Sequence, residues 1–180
     1  MSWQPELDEI ERRRERAKQM GGEERVARHK AAGRLPVRER IDRMLDDGSF
    51  REIGSIASRV EYFDDGSIKS FTPSNFVTGR GQVDGRPVII GADDFSVRGG
   101  AADGAVGNKM GWSERSALES RIPVIRLADG TGGGGSVKTL EQIGATYIPA
   151  VPGWSDVVKN LDTVPVVALA LGPTAGLGAA

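Results

Sequence analysis

The chain has 180 residues, with 24 Lys and Arg against 25 Asp and Glu, so its formal charge at pH 7 is only −1. That balance offers no overall field for nucleic acid or an anionic membrane. The absence of cysteine excludes a disulfide framework, a cysteine-based zinc site and a thiol nucleophile, and fits a reducing compartment. The start is charged, with no apolar core before a cleavage site, so no secretory signal is expected. The longest apolar run, near Val164 to Leu171, is far too short to span a bilayer.

The first predicted element is charged. "ELDEIERRRERAKQM" followed by "EERVARHK" sets Glu and Arg three and four apart, where they pair along a helix surface. Few apolar residues interrupt them, so this helix has a narrow face to bury and reads as a solvated arm. A basic surface for an anionic ligand, or a docking arm for another subunit, is the alternative. Gly21-Gly22 breaks the helix. His29, the only histidine, lies among charges and reads as a surface residue. A second helix follows in "PVRERIDRMLDDGSF". Pro36 suits its first turn, Ile41, Met44 and Leu45 form its apolar stripe, and Gly48 stops it. From Phe50 to Phe63 the pattern is irregular, and Asp64-Asp65-Gly66-Ser67 reads as a surface turn.

The texture changes at Phe76. "FVTGRGQV" and "PVIIGADDF" are two strands joined by a tight Asp-Gly hairpin. "SVRGGAADGAVGNKMGWSERSALESR" ends in a helix. "IPVIRLAD" is a strand whose continuous apolar core predicts burial on both faces. "WSDVVKNL" is a helix, and "VPVVALAL" a fourth buried strand. The alternation predicts an α/β domain with parallel strands and right-handed crossovers.

Glycine-rich loops follow three of these strands: Gly99-Gly100, Gly132 to Gly135, and Gly172 to Gly178. Ligands of open α/β sheets bind beyond the carboxyl ends of the strands, where such loops gather. None of them is a P-loop or a dinucleotide fingerprint. "GTGGGGS" shares its composition with flexible linkers, but it follows a strand as the other two loops do, so it belongs to the fold. Asp93, Asp94 and Asp129 stand at strand ends, where Asp caps a following turn, and are read as caps rather than as an acid/base pair.

Four blocks occur in order: "GRLPVRERIDRMLDDGSFREIG", "VTGRGQVDGRPVIIGADDFSVRGGAADG", "RIPVIRLADGTGGGG" and "VPVVALALGPTAGLGAA". Together they resemble the carboxyltransferase (β) subunit of biotin-dependent acyl-CoA carboxylases, most closely the propionyl-CoA and methylcrotonyl-CoA branch. The resemblance covers about residues 30 to 180. It implies a crotonase-like α/β fold, a spiral of ββα units, preceded by a helical arm. Residues 1–33 would be the charged arm, and 34–180 the beginning of the first of two crotonase-like domains. On that expectation the chain is a fragment, inactive by itself, and prone to oligomerise through the uncovered strand Val164 to Leu171.

The resemblance also implies a reaction. A carboxyl group moves from N1 of carboxybiotin to the α-carbon of an acyl-CoA, and negative charge builds on the thioester oxygen. Two preorganised N–H donors at that oxygen would each lower the barrier by about 3 kcal/mol. The family motif reads roughly Gly-Pro-Cys-Ala-Gly-Gly-Ala; here it is Gly172-Pro173-Thr174-Ala175-Gly176-Leu177-Gly178. The implied catalytic donors are the backbone amides of Gly176 and Leu177, with Leu177 departing from the usual glycine. Gly99, Gly100 and Ala101 match a Gly-Gly-Ser that lines the acyl-CoA pocket. Gly132 and Gly133 match a second substrate loop, which lacks the family's Arg, so the acyl group is left open. Arg34 and Arg38 are candidates for the CoA phosphates, against plain surface solubility. Carboxybiotin supplies much of the base chemistry, so no side-chain base and no metal are required. Implied partners are acyl-CoA, a biotin carboxylase, a biotin carboxyl carrier subunit and further copies of the chain in a hexamer-type assembly. The implied location is the cytoplasm, or the mitochondrial matrix in a eukaryote. A biotin-linked acyl-CoA decarboxylase, another crotonase-like acyl-CoA enzyme, and a non-catalytic assembly module are the alternatives.

Overall fold

The structure, a computed structural model, describes residues 2–101, 108–130, 140–141, 144–145 and 153–176. Two helices open the chain, α1 (Gln4–Lys18) and α2 (Glu23–Ala31). Glu9 pairs with Arg12 at 2.9 Å and with Arg13 at 2.8 Å, and Glu15 with Lys18. Ala17 is the one residue of α1 that is buried, so the helix rests on its own charge pairs more than on a core. The break falls at Gly21-Gly22 as the sequence predicts; Gly21 lies tight against the Ser96 carbonyl, leaving no space for a side chain.

Helix α3 (Val37–Met44) begins one residue after Pro36, which occupies the N-cap rather than the first turn. Val37 and Ile41, with Leu45 just beyond the helix, stand at i, i+4, i+8 and bury one face. They meet Val77, Val88, Ile90, Ala92, Ile125 and Leu127 of the sheet.

Seven strands follow among the described residues: β1 (Arg51–Ile53), β2 (Ser58–Tyr62), β3 (Ile68–Pro73), β4 (Phe76–Val83), β5 (Arg86–Asp93), β6 (Val124–Ala128) and β7 (Val166–Ala170). Five make the main sheet in the order β1-β4-β5-β6-β7, and β2 and β3 form a separate antiparallel pair. The first three main-sheet strands are antiparallel neighbours, whereas β5, β6 and β7 run parallel. The β4–β5 hairpin turns on Asp84 (φ 49°) and Gly85 (φ 73°), both left-handed as a tight two-residue turn requires. The Asp46 carboxylate accepts from both of their amides, at 2.9 and 2.8 Å.

The stretch from Phe50 to Phe63, irregular by sequence, contains β1 and β2. These strands are short, largely exposed and studded with charge, so they make no apolar run. Backbone pairing to β4 and β3 defines them instead.

Helix α4 (Lys109–Ser120) packs on the opposite face of the sheet, and helix α5 (Trp154–Thr163) packs on α4. Ile89 and Val124 point there, against Ala117 and Val164. Adjacent Ile89 and Ile90 therefore serve opposite cores, which is why β5 reads as continuously apolar. Glu114 of α4, only 2% exposed, binds the two helices to β6. Arg126 Nε and Nη2 both donate to its carboxylate at 2.8 Å, and Asn160 Nδ2 donates to its Oε2 at 2.8 Å.

Strand β7 is not the buried strand that its apolar run predicts but is partly uncovered, as the resemblance implies for Val164 to Leu171: Val167 is 46% exposed. It stands at the sheet edge, with β6 as its one partner among the described strands.

Candidate functional site

The parallel strands β5, β6 and β7 end side by side, and the loop after each is drawn to one point. After β5, Asp94 Oδ1 accepts from the Ser96 amide at 2.9 Å and its hydroxyl at 2.6 Å, the Asp-capped turn read from the sequence. A short 3-10 turn, Arg98–Gly100, follows. The Asn75 side-chain amide holds the Ala101 carbonyl at 2.6 Å.

These loops touch backbone to backbone. A Cβ on Gly100 would lie 2.5 Å from the Asp129 carbonyl oxygen, and one on Gly130 would lie 2.6 Å from the Gly100 carbonyl oxygen. Gly100 also has a positive φ of 67°, so only glycine satisfies both demands. The third loop is tied in by the Ala175 N–H, which donates to the Gly130 carbonyl at 3.4 Å. Gly172 sits against the Asp129 carboxylate with no space for a side chain. By contrast, no atom of the described residues lies within 4 Å of where a Cβ on Gly99 or Gly176 would be. The glycines thus divide into those that join the loops and those that leave an approach free.

Under the junction lies a buried charge cluster. Asp129 is 0% exposed, and its Oδ2 stands 2.6 Å from Arg40 Nη2 and 3.8 Å from His29 Nε2. Arg40 Nη2 is also 3.3 Å from His29 Nε2 and donates to the Leu171 carbonyl at 3.5 Å. The Arg40–Asp129 contact is close but off the hydrogen-bond axis, and neither carboxylate oxygen has an aligned donor among the described residues. Asp93 Oδ2 accepts the Asp129 amide at 3.1 Å. Burial pushes the Asp93 carboxyl up to about 6; the nearby Asp129 charge adds to this, while the hydrogen bond from the Asp129 amide and the Arg40 charge oppose it. Burial also raises Asp94, against its bonds from Ser96.

This cluster revises two readings. His29 is not a surface residue: it is 9% exposed and its ring stacks on Phe95 at 5.9 Å. Asp129 is not a turn cap but the carboxylate of a buried ion pair. A signal for Arg40 existed, since it stands three residues after Val37 on the buried face of α3. Nothing near His29 distinguished it from its charged neighbours.

The remaining candidates are placed as follows. Gly99, Gly100 and Ala101 lie at the junction, with the Gly100 and Ala101 amides donating to the Val97 and Arg98 carbonyls at 3.1 and 3.3 Å. Gly176 is the last described residue of the third loop. Leu177, Gly132 and Gly133 lie outside the described residues. Arg34 stands over the Phe95 ring at 5.6 Å. Arg38 is held by Glu52 through contacts of 2.8 and 3.3 Å.

The profile of the carboxyl transferase domain matches residues 28–179. The chain belongs to the carboxyl transferase domain family. Among curated members of this carboxyl transferase family, the propionyl-CoA carboxylase carboxyltransferase subunit of Haloferax mediterranei is 36% identical over 132 residues. That match takes in 73% of this chain and 26% of the relative. The mitochondrial propionyl-CoA carboxylase beta chain of Homo sapiens is 33% identical over 175 residues, 94% of this chain and 31% of the relative. The transcarboxylase 12S structure, a hexamer assembly with methylmalonyl-coenzyme A and methylmalonic acid bound, superposes with a TM-score of 0.74 at 28% identity. It matches 99% of this chain and 34% of its own. The chain therefore spans about a third or less of the length of these relatives. The fold is the expected crotonase-like α/β arrangement with a helical arm. No helix among the described residues is long and apolar enough to cross a membrane.

Proposed function

We propose that this carboxyl transferase chain forms the acyl-CoA side of a biotin-dependent carboxyltransferase, which moves a carboxyl group from carboxybiotin to the α-carbon of an acyl-CoA. The observation that carries this reading is the junction of glycine loops at the ends of three parallel strands, with Gly176 open to approach. The named activities of the relatives support it.

Loss of the α-proton places negative charge on the thioester oxygen. Gly176 and Leu177 would direct backbone N–H groups at that oxygen, as donors held in place before the charge develops. The open side of Gly176 lets a thioester come within hydrogen-bonding reach of the backbone; a side chain there would fill that space. Carboxybiotin, when bound, supplies the carboxyl group and takes up the proton. Gly99, Gly100 and Ala101 serve as a wall of the acyl-CoA pocket and not as donors, since the Gly100 and Ala101 amides are already used. Gly132 and Gly133 complete the substrate loop. Of the two arginines, Arg34 has the better claim on a CoA phosphate, because Arg38 is already paired with Glu52. A biotin carboxylase, a biotin carrier and further copies of the chain complete the assembly, in the cytoplasm or the mitochondrial matrix.

The test uses the full-length protein with a biotin carboxylase, a biotinylated carrier, ATP and bicarbonate. Propionyl-CoA should become labelled from bicarbonate, and avidin should abolish the labelling. Binding of acyl-CoA without any transfer to it would overturn the proposal.

A further inference from the structure

The buried cluster under the loop junction has no place in the chemistry above, yet it touches every element that builds the junction. One nitrogen, Arg40 Nη2, reaches His29 on α2, Asp129 after β6 and the Leu171 carbonyl after β7. Asp129 in turn lies against Gly172 through its carboxylate, and its backbone contacts Gly100 and Asp93. Side-chain exposure is 5% for Arg40 and 0% for Asp129, so water neither screens nor replaces these contacts. The span from Leu171 to Gly176 carries only two other described ties to its neighbours, Leu171 N–H to Ala128 and Ala175 N–H to Gly130.

The geometry points to Arg40 and Asp129 as positioning residues for the third loop: their pair holds Leu171 and Gly172, and through them sets where the Gly176 amide points. A donor amide acts only if it is held in place before the charge develops, so an error of about an ångström there costs rate rather than substrate affinity. A purely structural pair would act on stability alone. The inference rests on the carboxyltransferase reading for its kinetic part, and its exchange readout is independent of that reading.

Arg40→Lys keeps the buried positive charge, and with it the fold, but removes the planar guanidinium whose Nη2 faces His29, Asp129 and the Leu171 carbonyl at once. Asp129→Asn keeps the shape and removes the charge. In the assembled full-length enzyme, with propionyl-CoA as probe, each variant should lose more than fivefold in kcat with KM for propionyl-CoA within twofold. Backbone amides of residues 171–176 should exchange more than fivefold faster than in the parent, while those of β5 and β6 do not. If Asp129→Asn fails to fold, Arg40→Lys decides. A kcat loss below fivefold, an equal rise in KM, or unchanged exchange at residues 171–176 overturns the inference. If the parent enzyme transfers no carboxyl group at all, the functional reading fails and the exchange comparison alone decides the positioning role.

Discussion

Arg40 Nη2 and Asp129 Oδ2 lie 2.6 Å apart, one on a helix near the start of the chain and the other at the end of a central strand, with both side chains out of water. Such a pair gains little net stability over apolar packing, because each ion lost its hydration. Removing one partner is a different matter, since the other charge stays buried alone. Arg40→Met should therefore destabilise the fold by about 3–5 kcal/mol. Urea unfolding at pH 7 measures this, and a loss under about 1 kcal/mol would mean that Asp129 finds another counter-charge.

The same argument applies on the far side of the sheet. Glu114 receives two donors from Arg126 and one from Asn160, all at 2.8 Å. Glu114→Ala leaves Arg126 unpaired and Asn160 short of an acceptor. A cost of about 3–5 kcal/mol is expected, with amide exchange in α5 accelerating before that in β5.

Asp93 sets a pH dependence. Its folded pKa of about 6 is above the ordinary 3.8, so the folded state holds the proton more tightly than the unfolded chain. Its contribution is favourable below pH 3.8 and is lost as pH rises toward 6, leaving a penalty on the order of 3 kcal/mol at neutral pH. Asp93→Asn should remove that penalty, since Asn Oδ1 still accepts the Asp129 amide. The variant should be more stable than the parent at pH 7.5 and no more stable at pH 4, judged from urea midpoints.

Lys109 titrates in the other direction. It is 9% exposed at the start of α4, and burial lowers its pKa to about 8, with Glu52 at 3.8 Å pulling it back. The folded state releases this proton more readily than the unfolded chain, so stability should rise between pH 8 and 10.5. Lys109→Met should flatten that rise in thermal unfolding scans, and an identical slope in both proteins would refute the assignment.

The arm supplies a contrast. The Glu9, Arg12 and Arg13 side chains are in contact with solvent, where ion pairs are screened and hold long side chains at an entropic cost. Replacing Arg12 by Gln should leave the melting temperature unchanged within error.

Much of this protein is legible in its order of residues. Charge at helical spacing marks α1 and α2, Asp84-Gly85 marks the hairpin, and the apolar runs mark β5 and β6. The glycine clusters predict that loops after parallel strands converge, because glycine permits backbones to touch and a parallel sheet puts its strand ends on one side. These are local properties, written in residues close together in the chain.

Contacts between residues far apart needed the tertiary structure. It alone showed that Gly100, Gly130 and Gly172 join the loops while Gly99 and Gly176 leave a path open, since all five are the same residue type in sequence. It placed β7 at an edge, and recovered β1 and β2, strands too short and too charged to make an apolar run. It buried His29 with Arg40 and Asp129, three charged or polar residues that composition assigns to the surface. A buried charge is tolerated only where a partner arrives from elsewhere in the chain, and that arrival is decided by the fold as a whole.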